Sequence, residues 1–252
     1  IIVPHLGGGF GGKCEFHYEA HVAALARATD RPVRLVFSRS EEFFAPDHRR
    51  EGQVLELETG VMKDGTIVAR RARVVLDNGA YAADAPFFSQ LAAMMAVGPY
   101  RVPHVWVDAH LAYTNTTPSG SVRAPTAPQS CWALELHMDA VAEAIGLDPV
   151  ELRRRNILHE GDETATKQVL TTIAAAESLE RAVEMIGYDR ELPDDEAIGV
   201  ACGWWPTFAL PSGAHVKLHG DGSGTIVTGA QECGTGSVMA LPLLAAEVLG
   251  MR

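Results

Sequence analysis

Gly7-Gly8-Gly9-Phe10-Gly11-Gly12-Lys13-Cys14 is the stretch on which the reading of this chain turns. Five glycines in the six positions from Gly7 to Gly12 leave backbone N–H groups unshielded, so an anion or an oxo group can approach them closely. The apolar run from Ile1 to Leu6 reads as a strand entering the loop. Behind it a helix is expected over 15–29, where Tyr18, Val22, Leu25 and Ala26 recur at helical spacing. A helix N-terminus behind such a loop adds partial positive charge. The octet is suited to meeting a ligand through its main chain, and by itself it admits several ligands.

As a phosphate-binding loop, Gly7-x4-Gly12-Lys13 matches the first positions, but Cys14 stands where Ser or Thr should hold Mg²⁺. As a dinucleotide fingerprint, Gly7-x-Gly9-x-x-Gly12 fits. The acidic residue that should close the next strand is missing, and Ser38-Arg39 there look more like a 2′-phosphate site. An NADP-dependent oxidoreductase is therefore one alternative. As a metal site, Cys14, His17 and His21 fall at i, i+3 and i+7 and could share a helix face. Against it stands the plainer expectation of two histidines at the solvent edge and a buried thiol.

Outward from the loop, Asp30-Arg31-Pro32 ends the first helix, 33–37 reads as a strand, and Ser38 caps a short helix through Glu42. Two β runs, 54–59 and 67–76, meet across Lys63-Asp64-Gly65-Thr66, a hairpin signal. A further strand is expected over 105–112, then a Thr/Pro/Ser/Gly-rich loop over 114–129. Helices follow over 131–145, closed by Gly146, and from Asp148-Pro149 to Asn156. After these come a helix over 179–186, a second hairpin joining 216–218 to 225–227 through Gly220-Asp221-Gly222-Ser223, and a terminal helix. Strands and helices mix without strict alternation, which predicts an α+β fold of mixed sheets with packed helices. A soft boundary near 158–175 divides the chain into 1–160 and 161–252.

The 252 residues carry 21 Lys and Arg against 32 Asp and Glu, a net charge of −11, which disfavours nucleic-acid binding. No run of about 18 uncharged apolar residues occurs, so no membrane span is expected. The four cysteines include no CxxC pair, which argues against zinc ribbons and Cys-ligated clusters within this chain and fits a reducing, cytoplasmic compartment. The opening Ile1-Ile2-Val3 has neither Met nor a signal-peptide pattern and reads as part of something longer.

Six segments, in order, resemble the large subunit of the molybdenum hydroxylases, the xanthine dehydrogenase and aldehyde oxidase family. They are Gly7 to Lys13 with the helix carrying Glu19; Pro32-Val33-Arg34-Leu35-Val36-Phe37-Ser38-Arg39; Asp77-Asn78-Gly79-Ala80-Tyr81; Ser121 to Gln129 around Arg123; Asp148-Pro149 to Asn156; and Gln231-Glu232-Cys233-Gly234-Thr235-Gly236. The similarity covers nearly the whole chain. It implies a molybdenum centre on molybdopterin, which a cytosine dinucleotide can extend, and oxidation of an aldehyde or N-heterocycle with water-derived oxygen. Electrons would leave through [2Fe-2S] and FAD groups on partner chains or domains.

The resemblance also implies roles. The Phe10 N–H would face an oxo ligand, with Gly8, Gly9, Gly11 and Gly12 permitting the approach. Arg123 would orient a substrate carbonyl or carboxylate, with Gln129 behind it. Residues Gln231, Glu232, Cys233, Gly234, Thr235 and Gly236 would hold pterin or phosphate through backbone N–H. These three turns are expected to share one pocket. Some positions depart from the pattern. Cys14 replaces a Glu and Thr166 an aromatic found in purine-oxidising members, which disfavours a purine substrate. Ala124 and Pro125 replace a Gly and an aromatic. The family's Gly-Glu-Pro-like general-base segment does not occur up to Arg252, so this chain alone is expected to bind cofactor poorly and to be inactive. A non-catalytic scaffold is the remaining alternative.

Overall fold

The computed structural model describes residues 6–14, 18–44, 49–82, 85–206 and 211–251. In chain order the elements are α1 (Glu19–Thr29), α2 (Arg39–Phe44), β1 (Gly52–Val61), β2 (Ile67–Gly79), α3 (Ala85–Met95), β3 (His104–Tyr113), α4 (Ala127–Ile145), α5 (Pro149–Asn156), α6 (Ala175–Ile186), β4 (Ala214–Leu218), β5 (Gly224–Thr228) and α7 (Ser237–Leu249). The fold is α+β, as expected. The chain forms two compact units: Ile1–Leu35 with Pro206–Arg252, and Val36–Trp205.

In the larger unit a three-stranded sheet has the order β1-β2-β3. The β1–β2 hairpin is local chemistry. Gly65 takes φ 89°, Asp64 Oδ1 accepts from the Thr66 N–H at 3.0 Å, and the Met62 N–H donates to the Thr66 carbonyl at 2.9 Å. β2 pairs antiparallel with β1 and parallel with β3. A parallel pair needs a crossover, and α3 supplies it; Ala92 of the helix and Ala96 just after it pack onto Ala72, Val74 and Leu76 of β2. A second apolar cluster joins Ile67, Tyr100 and Val102 to Leu134, Met138 and Val141 of α4 and Leu152 of α5. Asp148 caps α5 through the Val150 and Glu151 N–H groups, at 2.8 and 3.0 Å. Leu179 and Val183 of α6 pack on Val150 and Ile157.

Buried charge ties these helices together. Glu135 Oε1 accepts from the Tyr100 hydroxyl at 2.7 Å, and Oε2 accepts from Arg153 Nε and the Cys202 N–H, both at 2.8 Å. Arg70, also buried, donates to the Val97 carbonyl, and burial pulls its pKa down to about 10, still protonated at neutral pH.

Two sequence expectations need correction. Residues 33–37 form no strand, and Val36 is exposed: β-branched and aromatic residues make a strand only where a ladder partner exists. Sequence reasoning missed α3, although Asp84 directly before Ala85 and Pro86 in the first turn are a helix-start signal. The run expected as a strand over Ile1–Leu6 lies, except for Leu6, outside the described residues, as does the start of the helix expected over 15–29.

The turn after β2 is set by Gly79, at φ 78°. A Cβ there would lie 2.3 Å from the Thr117 carbonyl oxygen and 2.7 Å from Pro118 Cα. Gly79→Ala is expected to melt several degrees below the parent protein, since left-handed strain alone costs about 1–3 kcal/mol and the obstructing atoms are backbone. Gly146→Ala is the control: it shares the left-handed φ, 68°, but a Cβ there meets nothing within 4 Å. Equal melting shifts for the two variants would refute the steric account.

Candidate functional site

In the smaller unit, the glycine loop is a succession of tight turns. Gly7, Gly8, Phe10 and Gly11 all have positive φ, at 71°, 104°, 52° and 93°. The Gly12 N–H donates to the Gly9 carbonyl at 2.9 Å and the Cys14 N–H to the Gly11 carbonyl at 3.1 Å. Phe10 is the one non-glycine in the left-handed region here, a conformation that costs a side chain free energy and so marks a constrained position. Its ring folds back over Gly8, where a Cβ would come within 2.9 Å of Phe10 Cε2, and it is 64% exposed. The Lys13 ammonium turns back to the Leu6 carbonyl. Among the described residues the Phe10 and Gly11 N–H groups have no hydrogen-bond partner. Helix α1 is described from Glu19, and residues 15–17 between it and the loop lie outside the described residues.

The later turn meets this loop. The Gly9 N–H donates to the Cys233 carbonyl at 3.0 Å, and a Cβ on Gly234 would lie 3.0 Å from Gly8 Cα, so only glycine permits the approach. The amides of this turn have an owner. Glu232 Oε1 accepts from the Gly234 and Gly236 N–H groups at 2.8 and 3.0 Å; Oε2 accepts from the Val238 N–H and the Ser237 hydroxyl, both at 3.1 Å. The Gly236 and Val238 N–H bonds are the leading reason that its pKa falls to about 2. The N–H groups of Gly234 and Gly236 thus serve an internal carboxylate. Gln231 and Thr235 are exposed, and Cys233 is half-buried.

Arg123 belongs to the larger unit; it is exposed on an otherwise half-buried turn ahead of α4, and its guanidinium has no partner among the described residues. Ala124 and Thr126 in the same turn have positive φ, 56° and 66°. Sequence reasoning missed what holds this turn. Arg50 Nη2 donates to the Arg123 carbonyl at 2.6 Å and the Val122 carbonyl at 3.3 Å; Arg50 Nη1 donates to the Ala124 carbonyl at 3.2 Å and Gln129 Oε1 at 3.4 Å. Gln129 Nε2 donates to the Glu51 carbonyl and carboxylate, at 2.8 and 3.1 Å. Arg49 reaches Asp77 Oδ2 and Thr116 Oγ1, both at 2.6 Å. Although burial opposes it, hydrogen bonds from Thr114, Arg49 and Gly79 hold the Asp77 carboxyl below its ordinary range. No motif marks Arg50 in the sequence, because its partners lie more than seventy positions away.

The other readings of the glycine loop fail on geometry. The dinucleotide reading lacks its second strand. Ser38 N–H and Oγ are bonded to Glu41, and Arg39 pairs with Glu42, so neither is poised for a 2′-phosphate. Lys13 faces a carbonyl rather than an open phosphate site. Cys14 is exposed, which corrects the expectation of a buried thiol, and His17 lies outside the described residues. Among the described residues no three His, Cys, Asp or Glu side chains are placed to hold a metal ion.

Residues 1–157 match one molybdopterin cofactor-binding domain family, and residues 173–252 match another. This chain belongs to the molybdenum hydroxylase family. It is 38% identical over 195 residues to the nicotinate dehydrogenase large molybdopterin subunit of Eubacterium barkeri, covering 75% of this chain and 46% of that protein. It is 30% identical over 261 residues to a probable xanthine dehydrogenase subunit of Bacillus subtilis, covering 99% of this chain and 35% of that one. Among solved structures it resembles the aldehyde oxidoreductase of Desulfovibrio gigas, with TM-score 0.76 and 26% identity over 88% of this chain and 25% of that chain. The chain therefore spans less than half the length of these relatives.

The residues present fit a molybdopterin group at the first turn. Among the described residues the glycine loop offers two unpartnered amides, and a Cβ at Gly7 would meet nothing within 4 Å, so a bulky ligand can lie against the backbone. The grip these residues offer the group is hydrogen bonding from main-chain N–H groups.

Proposed function

We propose that this chain holds the molybdenum cofactor in the molybdopterin-binding subunit of a hydroxylase that oxidises an aldehyde or N-heterocycle with water-derived oxygen. The observation that carries it is the Gly9 N–H to Cys233 carbonyl bond, which locks two glycine turns together and leaves the Phe10 and Gly11 amides unpartnered. When bound, the molybdopterin group supplies an oxygen-transferring centre that accepts two electrons. This chain's residues bind and orient. Phe10 and Gly11 present N–H donors to anionic oxygen on the group, and Gly7, where a Cβ would meet nothing within 4 Å, keeps the approach clear. Gly9 and Cys233 join the walls, and Glu232 organises the wall formed by Gln231, Gly234, Thr235 and Gly236. Fixed N–H donors aimed at developing negative charge need no reorganisation during reaction.

Arg123, whose guanidinium is left unpaired, orients a carbonyl or carboxylate of the substrate. The same reading takes 1–160 and 161–252 as two molybdopterin-binding subdomains, places [2Fe-2S] and FAD on partner chains or domains, and gives the cofactor a cytosine dinucleotide extension. The surrounding compartment is the cytoplasm. Among the described residues no helix is long and apolar enough to cross a membrane.

The test is elemental and pterin analysis of the full-length protein, followed by turnover of an aldehyde in heavy-oxygen-labelled water. The expected result is bound molybdenum and pterin, with label in the carboxylate product. A protein free of molybdenum whose melting temperature no aldehyde or heterocycle shifts would favour the scaffold alternative.

A further inference from the structure

We propose that Arg50 is the positioning residue for the Arg123 turn, fixing where the substrate-facing guanidinium points. The inference rests on the reading of Arg123 as the substrate-orienting group. The turn from Val122 to Thr126 is not self-supporting. Two of its non-glycine residues, Ala124 and Thr126, adopt left-handed backbone that flanking structure must impose. The partners that impose it come from the segment leading into β1 and from the start of β1 itself. The Gly120 N–H donates to the Arg49 carbonyl and the Arg49 N–H to the Pro118 carbonyl, both at 3.0 Å, setting the start of the turn on that segment. Gln53 Nε2 reaches the Thr126 carbonyl at 3.3 Å at the other end.

Between these two anchors Arg50 alone engages three successive carbonyls, those of Val122, Arg123 and Ala124, together with Gln129 Oε1. A guanidinium is the side chain suited to this: it is planar, permanently charged and rich in donors in a fixed fork, so one residue sets the direction of several peptide planes at once. The two arginines then divide the work. Arg50 spends its donors on the backbone at 123, and the side chain of Arg123 keeps all of its own. A lysine at position 50 carries the charge but has no fork, and could reach at most part of this set.

The test is made on the full-length holoenzyme with Arg50→Lys, Arg50→Ala, Arg123→Ala and the double variant. The expected results are that Arg50→Ala lowers kcat/KM about tenfold, the scale of one lost charge-assisted hydrogen bond, and that Arg50→Lys lies between it and the parent. Molybdenum content should be unchanged. In the double variant kcat/KM should equal that of Arg123→Ala, because a group acting only through Arg123 has nothing further to lose. A second readout needs no turnover: trypsin should cut after Arg123 faster in Arg50→Ala than in the parent, since the turn opens more often. If Arg50→Ala fails to fold, Arg50→Lys and its tryptic rate carry the test. Additive losses in the double variant, or an unchanged tryptic rate in the Arg50 variants, would overturn the inference. An Arg123→Ala enzyme with parental kcat/KM would instead overturn the reading of the site.

Discussion

Glu135→Ala is expected to lower the melting temperature of the full-length protein by about ten degrees, the largest stability loss foreseen for a single side chain here. Glu135 is 5% exposed and Arg153 is 0% exposed, and the pair is closed at 2.8 Å. Removing one member of a buried ion pair costs about 3–5 kcal/mol, because the remaining charge stays desolvated and uncompensated. Two other groups would be orphaned with it, the Tyr100 hydroxyl and the Cys202 N–H. The Tyr100 hydroxyl is already held well above its ordinary pKa, by burial first and by the Glu135 charge second, so it is a neutral donor that needs this acceptor. Arg153 keeps a bond to Asp139, at 2.7 Å, but that carboxylate lies at the surface and offsets only part of the loss. Glu135→Gln should fall between alanine and parent, since its carbonyl still accepts one of the donors. Thermal unfolding followed by circular dichroism decides the point. A Glu135→Ala protein melting within about two degrees of the parent would show that the network contributes little.

What the sequence made legible follows the range of the interactions. The β1–β2 hairpin and the α5 cap could be read because Asp64-Gly65 and Asp148-Pro149 determine their geometry within a few residues. The parallel partnership of β2 with β3 could not, since nothing in residues 104–113 says which strand they will meet. The strand expected over 33–37 fails for the same reason in reverse: its residues are of β-forming type, but among the described residues no ladder receives it. At the candidate site, glycine content exposed the two loops, because a missing Cβ is visible in a one-letter code. The Gly9–Cys233 bond between them was not visible, and neither was the use of Arg50. Both depend on chain segments brought together only by folding. Glu232 shows the subtler failure. Resemblance placed it among the cofactor residues, whereas its carboxylate takes the very amides that the cofactor was expected to use.

That arrangement leads to a strong effect on cofactor retention. In the full-length protein Glu232→Gln is expected to carry about 10–100-fold less molybdenum affinity, the usual consequence of removing a partner that orients the groups contacting a metal cofactor. The carboxylate accepts four donors at the start of α7, where the helix dipole also favours negative charge. Glutamine brings an NH₂ group against N–H donors and can satisfy only one side of the turn. Once the turn loosens, the Cys233 carbonyl is no longer held in place for the Gly9 N–H, and the Phe10 and Gly11 amides lose their fixed direction. Titration gives the sign. The folded-state pKa is depressed, from an ordinary 4.5 to about 2, so the contribution of Glu232 is fully present above pH 4.5 and is lost only as pH falls through about 2. The parent should therefore keep its cofactor unchanged by this group down to about pH 4.5, whereas Glu232→Gln should release it at neutral pH. Hydrogen exchange across residues 232–238 supplies a readout independent of turnover, because the same substitution should strip protection from the Gly234, Gly236 and Val238 amides. Full molybdenum content together with unchanged protection in Glu232→Gln would mean that the turn holds itself without the carboxylate, and the link from Glu232 through Cys233 to the Phe10 amide would be broken.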